Sequence, residues 1–327
     1  MAQEVRQDEE AGDADIELSV VVPVYRSAQT LVELHRRIGD SLVASRIAFE
    51  VIFVDDAGGD GSWQVIEGLA RTDSHVRGIR LSRNFGQHAA TICGFANARG
   101  RWIATMDDDL EQSPEDLPLL LARAREGADL VYGVYPSRTH QGWRNATSAL
   151  ARALFRIAVP SLNYEYTSFR VVRGEVARTI TRFDAPFPFV DGYLSWTTNS
   201  YSTVSVSHGV RAHGTSNYTL RKLLTHTVNI FVTFSDLPLR MASWIGLTFF
   251  AIGIGWLSVI VIGRLLGMIT VSGFASLMGA IILFGGIQLL LLGVFGEYLG
   301  RMSFTSSRKP LFLIGQTTPP RRVGARE

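Results

Sequence analysis

Cysteine is almost missing from this chain: Cys93 stands alone among 327 residues. No disulfide can form within the chain, so a cross-linked secreted scaffold is excluded and a reducing compartment is the better fit. Cys93 lies among apolar residues and reads as a small core side chain rather than a nucleophile. Neither sign of charge dominates. Thirty-two Lys and Arg face 30 Asp and Glu, for a net charge of +2, so the broad basic face of a nucleic-acid binder is not expected. The segment from Met1 to Glu17 is acidic and has no apolar centre. It is therefore not a secretory signal and reads as a disordered tail. Metal-ligand spacing among histidines is lacking too, and His208 and His213 have no suitable partner.

Charge itself is scarce after residue 240, where nearly all of the excess of hydrophobic residues lies in a chain that is 46% hydrophobic. The run from Ala242 to Gly263 holds no charged residue. Its length, about 22 residues, suffices to cross a hydrocarbon layer of roughly 30 Å. A second uncharged stretch follows from Met268, with Phe274 to Gly296 as the expected span, and only Arg264 is charged between the two. A buried helical hairpin is the alternative, but soluble helices seldom run this long without charge. Arg221, Lys222 and Arg240 precede the pair, and Arg301, Arg308 and Lys309 follow it. Positive flanks at both ends place them, and the rest of the chain, on the cytoplasmic side of an inner membrane. Residues 219–240 mix Arg221, Lys222 and His226 with Leu223, Leu224, Ile230, Phe231 and Phe234, as an amphipathic segment in the headgroup layer would. Gln288, polar within the second span, is either a contact to another helix or a tolerated amide. The expected divisions are then a tail over 1–17, a catalytic domain over 18–218, an interfacial segment over 219–240, a hairpin over 241–300 and a basic cytoplasmic tail over 301–327.

The first two hundred residues alternate apolar runs with helical periodicity. Strands are expected over Leu18 to Val24, Phe49 to Val54, Val76 to Leu81, Trp102 to Met106 and Asp129 to Val134. Helices are expected over Ala28 to Ala44 and Pro114 to Glu126, the latter with Ser113 as cap and Pro114 in its first turn. Such alternation implies an α/β domain whose mostly parallel sheet is covered on both faces. Functional residues should gather where the strands end at their carboxyl edge.

Acidic residues stand at those ends. Asp55 and Asp56 close FEVIFVDD; Asp107, Asp108 and Asp109 close WIATMDDDL, with Glu111 two residues on. Carboxylates this close repel one another unless a cation or strong donors hold them. A hard divalent ion, Mg²⁺ or Mn²⁺, takes oxygen ligands and also binds a diphosphate. Solvated loop residues or helix caps are the bland alternative, stronger for the first pair than for the triplet with Glu111.

Four runs, SVVVPVYRSAQTL, VIFVDDAGGDGS, LSRNFGQHAATICGFANARG and MDDDLEQSPEDLPLLL, together resemble glycosyltransferase family 2. More narrowly, the chain is similar to the polyprenyl-phosphate glycosyltransferases, among them dolichol-phosphate mannose synthases and bacterial undecaprenyl-phosphate sugar transferases. LSRNFGQ, and RAHGTSNY followed by LPLR and two spans, point to the bacterial branch. The resemblance implies a GT-A nucleotide-sugar-binding fold, a UDP-sugar in preference to a GDP-sugar as donor, a polyprenyl phosphate as acceptor, contact with membrane lipid, and a homo-oligomer, plausibly a tetramer.

Carried over residue by residue, it gives Pro23, Tyr25, Asp55 and Asp56 to the nucleoside, Asp107 to the ribose or donor sugar, and Asp109 to the metal. Asp107 and Asp109 are the ends of the family's Asp-x-Asp motif, and Asp107 joins Asp109 and Glu111 as a candidate metal ligand. Glu111 stands where many relatives carry Gln. Arg144, Ser148 and Arg211 match positions that would hold the acceptor phosphate, with Ser216 beside them. Arg138 is a further candidate because relatives' Arg is Tyr135 here. Glu165-Tyr166-Thr167-Ser168-Phe169-Arg170 and Ser216-Asn217 depart from the family pattern on the acceptor side; Arg221 or Lys222 could replace the cation lost at Asn217. His88 at a helix start reads as a structural histidine or a donor contact.

The reaction so implied is one inverting displacement by a lipid phosphate that is already ionised, its second pKa being about 6. Two other readings have less support. A processive polysaccharide synthase needs a Gln-x-x-Arg-Trp motif and enough spans for a channel, and neither is found. A nucleotide-sugar sensor without turnover would be expected to lose its acidic triplet first.

Overall fold

The computed structural model describes residues 16–135, 165–183, 188–207, 237–266, 273–306 and 310–319. The elements begin β1 (Leu18–Val24), α1 (Leu31–Ala44), β2 (Phe49–Asp55), α2 (Ser62–Thr72), β3 (Val76–Leu81), α3 (Gln87–Asn97) and β4 (Trp102–Thr105). They continue through a 3₁₀ turn (Pro114–Asp116), α4 (Leu117–Arg125), β5 (Leu130–Val134), β6 (Arg170–Arg173), α5 (Gly174–Ile180), α6 (Val190–Thr197) and β7 (Tyr201–Ser205). Two long helices follow, α7 (Leu237–Leu265) and α8 (Phe274–Ser306), and then β8 (Ile314–Thr317).

β1 and β2 are apolar along their length because both faces are covered, and every residue in each is buried. Alternation sorts their side chains. Val20 and Val22 pack on one side with Leu34 and Ile38 of α1 and Trp63 of α2, while Val21 packs on the other with Ala90, Ile92 and Phe95 of α3. The helix–strand contact is closest at Gly94, where an added Cβ would lie 2.2 Å from Cγ1 of Val21.

All eight strands join one sheet in the order β7-β5-β6-β4-β1-β2-β3-β8. Four pairings are parallel and three antiparallel, so the sheet is mixed. The expected strands are present with small shifts: β4 stops at Thr105 and β5 starts at Leu130. Pro114 opens a 3₁₀ turn rather than the α-helix itself, and Ser113 makes no side-chain capping bond there.

The segment after α8 departs from the expected basic tail. Residues 314–317 add the eighth strand, pairing antiparallel with β3, and Thr318 N–H donates to Gly78 O at 2.9 Å. Leu311 and Phe312 pack on the core beside it. Its short apolar run, following basic residues, gave little periodic signal.

α7 and α8 are 29 and 33 residues long. Taken over the described residues alone, no helix is long and apolar enough to cross a membrane. The sequence through 242–263 carries no charge. Much apolar surface is bare along them, with Trp244 and Trp256 each 68% exposed and Leu265 82%. Gln288 lines a groove of about 590 Å³ between the two helices, with Gly246, Gly253 and Phe284.

Candidate functional site

β4, β1 and β2 run parallel and adjacent, so their carboxyl ends open on one edge. The backbone beyond them is bent into uncommon conformations. Arg26, Ala57 and Leu110 all have positive φ (59°, 55° and 64°) although none is glycine. Strain of this kind persists only where surrounding contacts enforce it, and it collects at working sites. Gly58 is needed for the same packing, since a Cβ there would come 2.7 Å from the amide nitrogen of Arg26.

Asp108 ties the β4 end to the β1 end. Its Oδ2 accepts the Tyr25 N–H at 2.9 Å, and its carbonyl accepts the Thr30 hydroxyl at 2.6 Å. Burial pushes its carboxyl up to about 6, against the Ser27 hydroxyl and the Tyr25 N–H. The middle residue of the triplet thus joins two strand ends, a use that an Asp-x-Asp reading passes over.

Asp107 is held from three sides. Gln87 Nε2 donates to Oδ1 at 2.6 Å, Gln112 Nε2 to Oδ2 at 2.8 Å, and the Ser168 hydroxyl also donates to Oδ2. Gln112 completes a ring by accepting the Asp107 N–H at 2.8 Å through Oε1. Burial raises the Asp107 pKa, and the Asp109 charge adds to that; the Ser168 hydroxyl, Arg170 and Gln87 counter it. Behind this ring, buried Arg170 donates to Thr105 Oγ1 at 3.0 Å and pairs with Asp191, which also accepts the Tyr132 hydroxyl at 2.9 Å. Gln87, Gln112 and the Arg170–Asp191 pair were not singled out from sequence as site residues. Gln112 is masked by the neighbouring Glu111, and Asp191 lies far along the chain with no motif around it.

Asp109 Oδ1 accepts the Glu111 N–H at 3.1 Å. Tyr135 feels this cluster: burial pushes its phenol up to about 12, helped by the negative charges of Asp107, Asp109 and Glu111. Among the described residues no three acidic, histidine or cysteine side chains converge as a complete metal cage. The donor set of Asp109 and Glu111 is nevertheless all oxygen, which suits Mg²⁺ or Mn²⁺, ions that commonly complete their shell with water and substrate phosphates.

The two acids ending β2 differ. Asp56 accepts the N–H groups of Phe85 and Gly86 at 2.7 and 2.8 Å, fastening the loop before α3. Asp55 has longer contacts, from Gly58 N–H at 3.4 Å and Arg80 Nε at 3.3 Å. Burial raises the pKa of both. Pro23 lies within β1 and the Tyr25 ring, just beyond that strand, is 46% exposed. The structure therefore brings Pro23, Tyr25, Asp55, Asp56, Asp107, Asp109 and Glu111 to one edge. His88 packs edge-on against Phe189 at 5.4 Å, and its Nδ1 lies 3.5 Å from the Val190 N–H. Arg138, Arg144, Ser148, Arg211 and Ser216 lie outside the described residues.

Comparison with known proteins bears on the family and the fold. The description "Glycosyl transferase family 2" matches residues 19–180. An uncharacterized glycosyltransferase, YkcC, of Bacillus subtilis is 30% identical over 301 residues, covering 91% of this chain and 93% of that protein. An undecaprenyl-phosphate 4-deoxy-4-formamido-L-arabinose transferase of Pseudomonas aeruginosa is 31% identical, covering 91% and 89%. Glucosyl-3-phosphoglycerate synthase of Mycobacterium tuberculosis, solved with UDP, superposes with a TM-score of 0.51 at 22% identity, over 69% of this chain and 81% of that one. The same enzyme solved with Mg²⁺ and UDP gives 0.51 at 21% identity, over 69% and 81%. At these identities the superpositions speak for the fold alone.

Proposed function

The chain belongs to glycosyltransferase family 2, and from that premise we propose that it moves a sugar from a nucleotide-sugar, UDP-linked by preference, to a polyprenyl phosphate at the cytoplasmic face of a membrane. The observation that carries the donor half is the edge formed by Asp55, Asp107 and Asp109, with Asp107 fixed by three side chains. Pro23, Tyr25, Asp55 and Asp56 border the nucleoside, and Asp107 meets the ribose or sugar. Asp109 and Glu111 are the residues to hold Mg²⁺ or Mn²⁺ with the donor diphosphate, and the ion would neutralise charge on the departing diphosphate. An undecaprenyl-phosphate sugar transferase among the relatives favours undecaprenyl phosphate as acceptor.

The acceptor phosphate is ionised near neutral pH and serves as its own nucleophile. What the protein must supply is alignment with the anomeric carbon. Arg138, Arg144 and Arg211 are suited to that by their forked donors, with Ser148 and Ser216 beside them. One oxygen of the lipid phosphate forms the new bond to the anomeric carbon as the bond to the nucleoside diphosphate breaks, inverting that centre.

The membrane half is supported by connectivity. β7, which precedes α7, and β8, which follows α8, sit at opposite rims of the same sheet. Both outer ends of the helical pair must then lie on one side of any layer that the pair crosses. That agrees with the basic residues at both flanks. As a straight helix α7 is about 43 Å long, ample for a hydrocarbon core of roughly 30 Å. The proposed divisions are a catalytic domain over 18–218, an interfacial segment over 219–240 and a hairpin over 241–300, with 310–319 returning to the catalytic domain.

The test is release of nucleoside diphosphate by the detergent-purified chain across UDP- and GDP-sugars, with Mg²⁺ or Mn²⁺, with and without undecaprenyl phosphate. The expected result is release that needs both metal and lipid phosphate and favours one donor. Nucleotide binding without lipid-dependent release from any donor would overturn the proposal in favour of a sensor.

A further inference from the structure

Three neighbouring strands place Asp55, Arg80 and Gln316 in a single cross-strand row. Asp55 is in register with Arg80 across β2 and β3, and Arg80 with Gln316 across β3 and β8. Residues paired in this way point to the same face of a sheet, so their side chains meet. Arg80 Nε lies 3.3 Å from Asp55 Oδ2, and Arg80 Nη1 donates to Gln316 Oε1 at 3.5 Å. The guanidinium thus bridges a carboxylate that is only 2% exposed and an amide from the last strand of the chain.

The two acids at the end of β2 do different work. Asp56 is satisfied by short bonds from Phe85 and Gly86. Asp55 is as deeply buried, yet Gly58 N–H and Arg80 Nε approach it only at 3.4 and 3.3 Å, with the Ala57 N–H beside them. A buried carboxylate so loosely bonded has acceptor capacity left for a donor that arrives with a ligand. Arg80 is the cation beside it, and arginine keeps its charge under all ordinary conditions.

We propose that Arg80, steadied by Gln316, is a positioning residue that holds the Asp55 carboxylate as the acceptor for an N–H on the donor's base. Nucleoside recognition is thereby joined to the strand that follows the second long helix. This inference rests on the reading of Asp55 as a nucleoside contact and adds two residues that no motif marks.

The experiment measures UDP and GDP binding in the presence of Mg²⁺ by calorimetry on the full chain in detergent. Wild type is compared with Arg80→Ala, Arg80→Lys, Gln316→Ala, Asp55→Asn and the Arg80→Ala/Asp55→Asn double variant, with the lipid-phosphate KM recorded for each. Arg80→Ala is expected to weaken binding of the preferred nucleotide about tenfold, and Gln316→Ala about threefold, with Arg80→Lys recovering most of the loss. In the double variant, loss of Arg80 should add little to the loss of Asp55, because the first acts through the second. The lipid-phosphate KM should stay within about twofold throughout, as expected of independent sites. Wild-type affinity in Arg80→Ala, beside a loss in Asp55→Asn, overturns the role of Arg80 and leaves Asp55 in place. Wild-type affinity in Asp55→Asn overturns the nucleoside reading and this inference with it. Parallel losses in nucleotide affinity and lipid-phosphate KM make Arg80 a structural residue. Should Arg80→Ala fail to fold, Gln316→Ala decides, and unchanged affinity there overturns the link to the last strand.

Discussion

Asp107, Asp108 and Asp109 are adjacent, yet each is used differently. Asp108 binds the Tyr25 amide, Asp107 sits in a ring with Gln112, Gln87 and Ser168, and Asp109 bonds the Glu111 N–H. Two variants separate these uses. Asp109→Ala should lower kcat about a thousandfold, as expected when a group that stabilises developing charge is lost; steady-state assays over a metal titration check it, and full activity would remove Asp109 from the metal site. Gln112→Ala keeps every proposed ligand but frees Asp107 from two bonds. A fall in kcat of about ten- to a hundredfold is expected, with donor affinity nearly kept, as for a catalytic group supported from behind. An unchanged kcat would make the ring a matter of stability only. At this scale the acids themselves were legible because each ends an apolar run. Their supports were not: Gln112 is masked by Glu111, while Ser168 and Asp191 are brought in by the antiparallel return of β6 and by α6, which no local spacing encodes.

Among the elements, β1 through β4, α1 and α4 follow directly from apolar runs and helical periodicity, and their ends moved by only a few residues. What the pattern could not show was how the sheet is locked at its other end. Glu50 in β2 is 1% exposed and receives Ser19 Oγ at 2.7 Å, Arg99 N–H at 2.8 Å and Arg77 Nη1 at 3.1 Å. Burial alone would raise its pKa, but the Arg99 amide, Ser19 and the Arg99 guanidinium outweigh that and hold it below the ordinary 4.5. A carboxyl depressed on folding contributes stability that is present above 4.5 and lost as pH falls towards its folded value. Glu50→Gln should therefore cost about 2–3 kcal/mol at neutral pH, discounted for the partly exposed arginines. The gap from wild type should narrow under acid, and urea unfolding at a series of pH values reads it. A constant gap would mean that Glu50 acts by shape alone. Packing is testable in the same way: Gly94→Ala pushes a methyl into Val21 and should cost about 1–3 kcal/mol in the same experiment.

For the whole molecule, composition and charge divide the chain into an α/β part and an apolar pair of helices, and both are present. The return of residues 310–319 to the sheet was missed because a four-residue strand after basic residues has no periodicity to read. It has a direct consequence for topology. For a helix pair that crosses a membrane as proposed, Gly273, exposed just before α8, and Glu126, exposed after α4, should face opposite sides of that membrane. Single-cysteine variants at the two positions, made with Cys93→Ser, should label with an impermeant maleimide from opposite faces of sealed vesicles. Labelling of both from one face would dismiss the crossing. Native Cys93 should stay unlabelled in the folded protein, being fully buried with its thiol pushed up to about 12 by that burial.

The position of β8 also bears on when the enzyme becomes complete during its synthesis. Its four residues are made after both long helices, and until then β3 is an open rim. Arg80 lacks its neighbour on that rim for the same interval. The nascent sheet would thus be closed only once both long helices have been made, so that a chain arrested before them is also one whose sheet is still open.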